Sequence, residues 1–211
     1  MQKFTGCLFA LALGGSCLAQ QWDVGVAGGL EVYKNLTVTN GSDQASAGFK
    51  PGLVVSAFAA QDLYQHLGGE IRYDFGFANM KESSGGTSVD FGAQTHAIHY
   101  DFMFYGARRD AKLRPFLLAG GGIKIYRGTG QEQEFQPLAN FAILSKTKQI
   151  EGLITAGGGV KFQVGHRKFI YLEVIDFITR TPQNVIAPYP PSSISGWVHG
   201  FAPMVALSFG F

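Results

Sequence analysis

The sequence predicts an all-β fold, an eight-stranded antiparallel up-and-down transmembrane β-barrel. Three observations predict it. From Trp22 to Phe211 apolar and polar residues alternate with a period of two, the mark of strands with one apolar and one polar face. The segments that interrupt this pattern alternate between short and long. The chain is apolar on average, with a mean hydropathy of +0.09. Yet beyond its first 20 residues it has no continuous apolar run long enough for a membrane helix. Hydrophobicity spread by alternation is how a membrane barrel carries it.

Residues 1–19, MQKFTGCLFALALGGSCLA, have Lys3 in a short first region, an apolar centre and a small residue at Ala19. This is the layout of a secretory signal peptide, so the expected domains are a leader, 1–19, and a barrel, 20–211. Gly14 stands where a lipoprotein signal would place a large aliphatic residue before Cys17, which disfavours lipidation. Both cysteines, Cys7 and Cys17, fall in the leader. Disulfides and thiolate–metal sites are therefore not expected in the mature chain.

The strands follow in order. The first, 22–33, has Trp22, Val24, Val26, Gly28, Leu30 and Val32 on one face against Asp23, Gly25, Ala27, Gly29 and Glu31. The second is placed at 48–60. The third, 67–77, sets Ile71, Tyr73, Phe75 and Phe77 against Glu70, Arg72 and Asp74. The fourth is placed at 89–105, the fifth at 114–126 and the sixth at 150–164. The fifth and sixth share a word, AGGGIK at 119–124 and AGGGVK at 156–161. No Lys-Ser/Thr pair or helix pattern follows either word, so strand glycine is a better account than a phosphate loop. The seventh, 169–179, fits least well: Glu173 and Asp176 have opposite parity, and a bulge or an early end is expected. The eighth, 197–211, alternates to its last residue. Short connections fall at 61–66, 106–113 and 165–168; long ones fall at 34–47, 78–88, 127–149 and 180–196. No linker divides this span.

Composition narrows the class. With 46% hydrophobic and 13% aromatic residues the chain can bury a core, so disorder is excluded. A formal charge of +2 with no basic cluster argues against a nucleic-acid partner. Only 15% of residues are charged, against roughly 25% in soluble domains. Alternation alone does not say which face looks outward, and a soluble lipocalin-like barrel would reverse the faces. Three features favour lipid outside. Charges of mixed sign share one face and can pair in a lumen: Glu70, Arg72 and Asp74, with Asp23, Glu31, His99, Asp101, Lys124, Lys161 and Glu173 as candidate partners. Small residues on that face suit a narrow interior. Aromatics lie near the strand ends, as an interfacial girdle requires.

On these residues the chain resembles the small outer-membrane β-barrels of Gram-negative bacteria, the group of the OmpA transmembrane domain and OmpX. The resemblance rests on the leader, the short-turn and long-loop alternation, the RPFLLAGGG strand start at 114–122 and the VALSFGF ending at 205–211. It implies periplasmic short turns and surface-exposed long loops. It also implies that Leu207, Phe209 and the terminal Phe211 form the signal read by the barrel assembly machinery. It implies no activity.

Candidate chemistry is sparse. His96 and His99, three apart, fall on opposite strand faces and cannot share a metal. The deacylase pattern of small barrels, a Ser two residues after a His, is absent: Ile98, Asp101 and Phe201 occupy those positions. Ser195 with His199 could be assembled into a hydrolase site, but so could many loop serines. Glu70, Arg72 and Asp74, extended through Asp101, Lys124, Lys161 and Glu173, read as a lumen charge network. It is favoured as a plug over an ion path. The apolar residues of the third and fourth long loops, among them Phe135, Leu138, Phe141, Val185, Ile186 and Tyr189, either bind a partner or pack on one another. The expected function is structural and interactive: a barrel displaying four surface loops, with no catalysis and no cofactor. Its expected partners are outer-membrane lipids, the assembly machinery and a surface ligand. A narrow conduit for small or hydrophobic solutes is the alternative, ahead of a lipid-modifying enzyme.

Overall fold

The computed structural model describes residues 21–132 and 135–211. The expected leader lies outside the described residues. Fifteen strands follow: β1 (Gln21–Tyr33), β2 (Leu36–Asn40), β3 (Asp43–Phe49), β4 (Gly52–Asp62), β5 (Leu67–Phe77), β6 (Met80–Ser84), β7 (Thr87–Phe91), β8 (Ala93–Tyr105), β9 (Leu113–Gly128), β10 (Ala142–Leu144), β11 (Lys148–Gly165), β12 (Lys168–Arg180), β13 (Ile186–Pro188), β14 (Ser193–Ile194) and β15 (Trp197–Gly210).

Eight of them close a barrel in the order β1-β15-β12-β11-β9-β8-β5-β4. Every neighbouring pair is antiparallel, and β1 bonds both β4 and β15, so the sheet has no edge. Paired residues can be followed once around the ring from Asp23, through Ala60, Glu70, Asp101, Gly120, Thr155, Phe177 and Gly200. The path arrives at Tyr33, on the strand where it began but farther along it. That stagger is what tilts the strands of a closed barrel.

The period-two pattern sorts the faces. Val24, Val26, Ile71, Tyr73, Ile98, Phe102, Leu172, Val205 and Leu207 are exposed on the outside. Asp23, Glu70, Arg72, Asp101, Lys124 and Glu173 are buried inside. Aromatics mark both ends of the apolar band: Trp22, Phe104 and Phe209 at the short-turn end, Phe77 and Trp197 at the other.

Three sequence expectations are corrected. The strand placed at 48–60 is two strands, since Pro51 separates β3 from β4. The strand placed at 89–105 breaks at Gly92 into β7 and β8. No bulge or early end occurs between Glu173 and Asp176; β12 keeps one register with β15 throughout. Glu173 faces the lumen and Asp176 the outside, where His199 Nδ1 meets its Oδ2 at 2.8 Å. The irregularity lies instead at Gln163–Gly165 on β11.

The long connections fold. β14, β2, β3, β6 and β7 form a five-stranded sheet over one barrel mouth, and β10 pairs with β13. Their apolar residues meet in one core that includes Val38, Phe49, Met80, Phe91, Leu144 and Ile186. Barrel residues Tyr33 and Tyr126 belong to the same core. Phe49 stacks on Tyr126 with ring centroids 5.0 Å apart. Gln136 clamps β10 of this pair, accepting from Leu144 N at 3.0 Å and donating to its carbonyl at 2.8 Å. Of the apolar loop residues, Leu138, Phe141, Val185 and Ile186 pack inside this cap, while Phe135 is 75% and Tyr189 54% exposed.

Ile143 faces Ala187 directly across β10 and β13. The double variant Ile143→Cys/Ala187→Cys should therefore form an intramolecular disulfide under mild oxidation, read by mass spectrometry. Absence of the cross-link would refute the pairing of the third and fourth long connections.

Candidate functional site

The lumen holds the densest chemistry of the molecule. Each barrel strand turns alternate residues inward, and the stagger sets those residues in tiers from the short-turn end to the cap. In the lowest tier Arg114 Nη1 donates to both oxygens of Asp62 at 2.9 and 3.1 Å. The same guanidinium lies 3.7 Å from the Tyr105 ring centroid. Lys161 donates to Asp23, which also accepts from Tyr171 Oη at 3.0 Å.

In the second tier Arg72 lies between two carboxylates. Its Nε donates to Glu70 Oε1 and its Nη1 to Glu173 Oε1, each at 2.6 Å. Arg72 and Glu173 stand on strands that are not neighbours, so this pair ties opposite walls together. In the third tier His99 stands between Asp74 and Asp101. Its Nε2 is 2.8 Å from Asp74 Oδ2. Its Nδ1 is 2.9 Å from Asp101 Oδ2 but off the hydrogen-bond line. Ser56 donates to Asp74 at 2.5 Å, and Thr155 donates to Asp101. In the top tier Lys124 donates to Glu31 and lies near the faces of Tyr33, Tyr126 and Phe177. Tyr126 bonds Thr179 at 2.8 Å.

Glycine makes room for these carboxylates. A Cβ on Gly200 would stand 2.1 Å from Glu31 Oε1, and one on Gly120 would stand 2.2 Å from Asp101 Oδ1. The inward glycines of strands β9 and β15 are thus a packing requirement of the charges opposite them.

All seven residues expected in a lumen charge network, Glu70, Arg72, Asp74, Asp101, Lys124, Lys161 and Glu173, line this interior and are buried. The structure splits them among four tiers. Glu70, Arg72 and Glu173 meet, as do Asp74 and Asp101 around His99, while Lys124 and Lys161 take Glu31 and Asp23. Sequence reasoning missed Asp62–Arg114. Both residues have inward parity on their strands, but the sequence pattern places Asp62 in the short connection at 61–66. His96 faces outside and bonds Tyr73 Oη at 2.7 Å. His199 is held by Asp176 rather than by Ser195. Leu207, Phe209 and Phe211 are exposed on the outer face of the final strand, and Phe211 N donates to Trp22 O at 2.9 Å.

One further buried carboxylate lies in the cap, where no alternation in the sequence marks it. Glu82, on β6 between Ala47 of β3 and Val89 of β7, is 1% exposed inside the cap. Its Oε1 has no hydrogen-bond partner. Burial pushes its pKa up to about 7, and the amide of Ala142 only partly offsets this.

Removing Arg72 alone leaves two buried carboxylates facing each other. Arg72→Ala should lower the unfolding free energy by about 3–5 kcal/mol, whereas Glu70→Gln/Arg72→Met/Glu173→Gln should recover most of the loss. Urea midpoints measure both, and an Arg72→Ala midpoint equal to wild type would refute the tie. Glu82 carries a second expectation. Its folded pKa is raised above the unfolded value, so its contribution to cap stability is full in acid and is lost as pH rises through about 7. Hydrogen exchange at the Ala142 amide should therefore quicken between pH 5 and pH 8, after correction for intrinsic exchange. Glu82→Gln should abolish the difference.

No protein-family model matches the chain, and no curated protein matches its sequence. Solved structures do. Neisserial surface protein A (NspA) is similar at 9% identity with a TM-score of 0.54, over 90% of this chain and 97% of that one. The outer membrane protein OprG from Pseudomonas aeruginosa is similar at 8% identity with a TM-score of 0.59, over 90% of this chain and 96% of that one. The likeness is one of fold: the chain closes the same eight-stranded antiparallel barrel as these small outer-membrane proteins.

Proposed function

We propose that the chain is a plugged outer-membrane barrel that carries a folded platform at the cell surface, with a structural and interactive role and no catalysis. The observation that carries this reading is the inversion of the barrel. Its outer wall is an apolar band edged by aromatics, and its charges are sealed inside. A soluble protein with that wall would expose far more contiguous apolar surface than water tolerates, whereas a bilayer requires it.

On this reading the short turns face the periplasm and the cap faces the exterior. The leader directs export, and Leu207, Phe209 and Phe211 present the strand that the assembly machinery reads. Outer-membrane lipids contact the wall, and a surface ligand would meet the cap. The paired lumen charges support a plug rather than a conduit, because an ion crossing the barrel would have to break the Arg72 and His99 tiers in turn.

The test is gel mobility of the protein from outer-membrane fractions, boiled against unboiled, followed by planar-bilayer recording. A heat-dependent mobility shift with no conductance is the expected result. A protein that stays soluble in the periplasm would overturn the membrane reading. Conductance that changes on Glu70→Ala or Arg72→Ala would overturn the plug and restore the conduit.

A further inference from the structure

The outer wall is not uniform around its circumference. At the cap end, five cationic or imidazole side chains stand on five consecutive strand positions of the ring. Arg127 on β9 faces Lys148 on β11 directly. Arg180 on β12 faces Trp197 on β15. His199 on β15 adjoins Lys34 at the end of β1, whose amide donates to the His199 carbonyl at 3.0 Å. Parity turns all five outward, and the four permanent cations are exposed.

The barrel's stagger sets them within roughly 10 Å of one height, at ~3.3 Å per residue and a ~40° tilt. They span four interstrand steps, roughly 19 Å of arc. Among the described residues no carboxylate pairs with Lys34, Arg127, Lys148 or Arg180. The one outward carboxylate of the barrel strands, Asp176, lies on His199. Two like charges directly opposed, as Arg127 and Lys148 are, repel each other. Such a pair is relieved by an anion held between them.

The same side of the wall carries a second feature. Roughly 10–20 Å deeper, a furrow crosses β11, β12, β15 and β1. Gly28, Leu30, Gly158, Val174, Pro203 and Val205 line it. Glycine thins the wall there, and a Cβ on Gly28 would meet nothing closer than 3.9 Å. The furrow reaches down to about the middle of a roughly 30 Å hydrocarbon core. Cations at headgroup level above an apolar furrow make a two-part surface: the upper part suits phosphate and the lower part suits acyl chains.

We infer that the β9-β11-β12-β15-β1 side of the barrel binds a phosphorylated, multiply acylated glycolipid of the outer leaflet, with its phosphates on Arg127, Lys148 and Arg180. The arc is too wide for a single phosphate and matches a headgroup bearing two. The inference rests on the membrane reading above, and its test separates the two. Barrels are purified, checked for the heat-dependent mobility shift, and placed in phosphatidylcholine bicelles doped with a diphosphorylated hexa-acyl glucosamine disaccharide. Lipid retained per barrel is then read by native mass spectrometry.

Wild type should retain this lipid and not its dephosphorylated form. Arg127→Gln/Lys148→Gln/Arg180→Gln should lower retention at least tenfold while keeping the mobility shift. Gly28→Phe, which fills the furrow and leaves the cations, should also lower it. Arg108→Gln/Lys112→Gln/Lys168→Gln, at the opposite rim, should not. Millimolar inorganic pyrophosphate should fail to displace the lipid, since it lacks the acyl part; displacement would mean a soluble-phosphate site and would overturn the lipid assignment. Equal retention by the three-glutamine arc variant in a correctly folded barrel would overturn the inference and leave the barrel intact. Loss of the mobility shift in wild type would instead overturn the membrane reading.

Discussion

Closure of the eight-stranded sheet constrains everything else in this molecule. Once β1 bonds both β4 and β15, each residue of the ring must point either into a narrow lumen or out of the wall. An interior of eight strands is just wide enough for side chains to fill it. A carboxylate placed inside therefore has no water to rely on and must find a cation or hydroxyl across the lumen. Arg72 answers two at once, Glu70 beside it on β5 and Glu173 on the far wall. The backbone ladder fixes neighbours, and these ion pairs fix the distance between strands that are not neighbours. Replacing the pairs with apolar groups need not destabilise the barrel. Their role is to brace across the lumen the walls that the strand order sets opposite each other.

The stagger of the ladder decides which charges meet. The spiral of paired inward residues from Asp23 to Tyr33 passes through Glu70 and Asp101, and also through Gly120 and Gly200. Gly120 stands beside Asp101 on that spiral, and the missing side chain leaves the space its carboxylate occupies. Gly200 does the same for Glu31. Glycine in a strand interior weakens the strand. Here the loss is set against a buried ion pair that would otherwise be pushed apart.

Parity is a local property, and so the faces of β1, β5 and β15 could be read from the chain residue by residue. Partnership across the lumen is not local. Arg72 and Glu173 are joined only after the register of every intervening ladder is known, and no spacing in the sequence encodes it. Asp176 shows a second limit. Read alone, its parity, opposite to that of Glu173, marks a defect in the strand, because it puts a carboxylate on the apolar face. The neighbouring strand supplies His199 at the right offset, and the strand runs on without a bulge. The cap was illegible for a different reason. Its strands, such as Leu36–Asn40 and Thr87–Phe91, are too short for alternation to rise above the turn residues around them. Their apolar groups are spread over four connections, so no single stretch announces a core. The alternation of Leu36, Thr37, Val38 and Thr39 was the available signal.

The cap and the barrel share one boundary, and that bears on how the surface can act. Tyr33 and Tyr126 belong to the barrel wall and to the cap core alike. Phe49 of the cap packs on both rings, at 5.2 and 5.0 Å. The same two rings flank Lys124 on its lumen side. The uppermost ion pair of the barrel is thus roofed by the lowest layer of the cap, and opening the cap would admit water to Lys124–Glu31. Long loops on small barrels are free to move when nothing beneath them is buried. Here, moving them exposes both an apolar core and an ion pair. On the proposed reading, a partner that meets the exposed Tyr189, whose amide donates to the Phe141 carbonyl at 3.0 Å, meets a segment tied to the cap core, and its binding does not have to supply the entropy of ordering it. If the proposed surface role holds, recognition at this end is a matter of shape fixed in advance by the barrel below it.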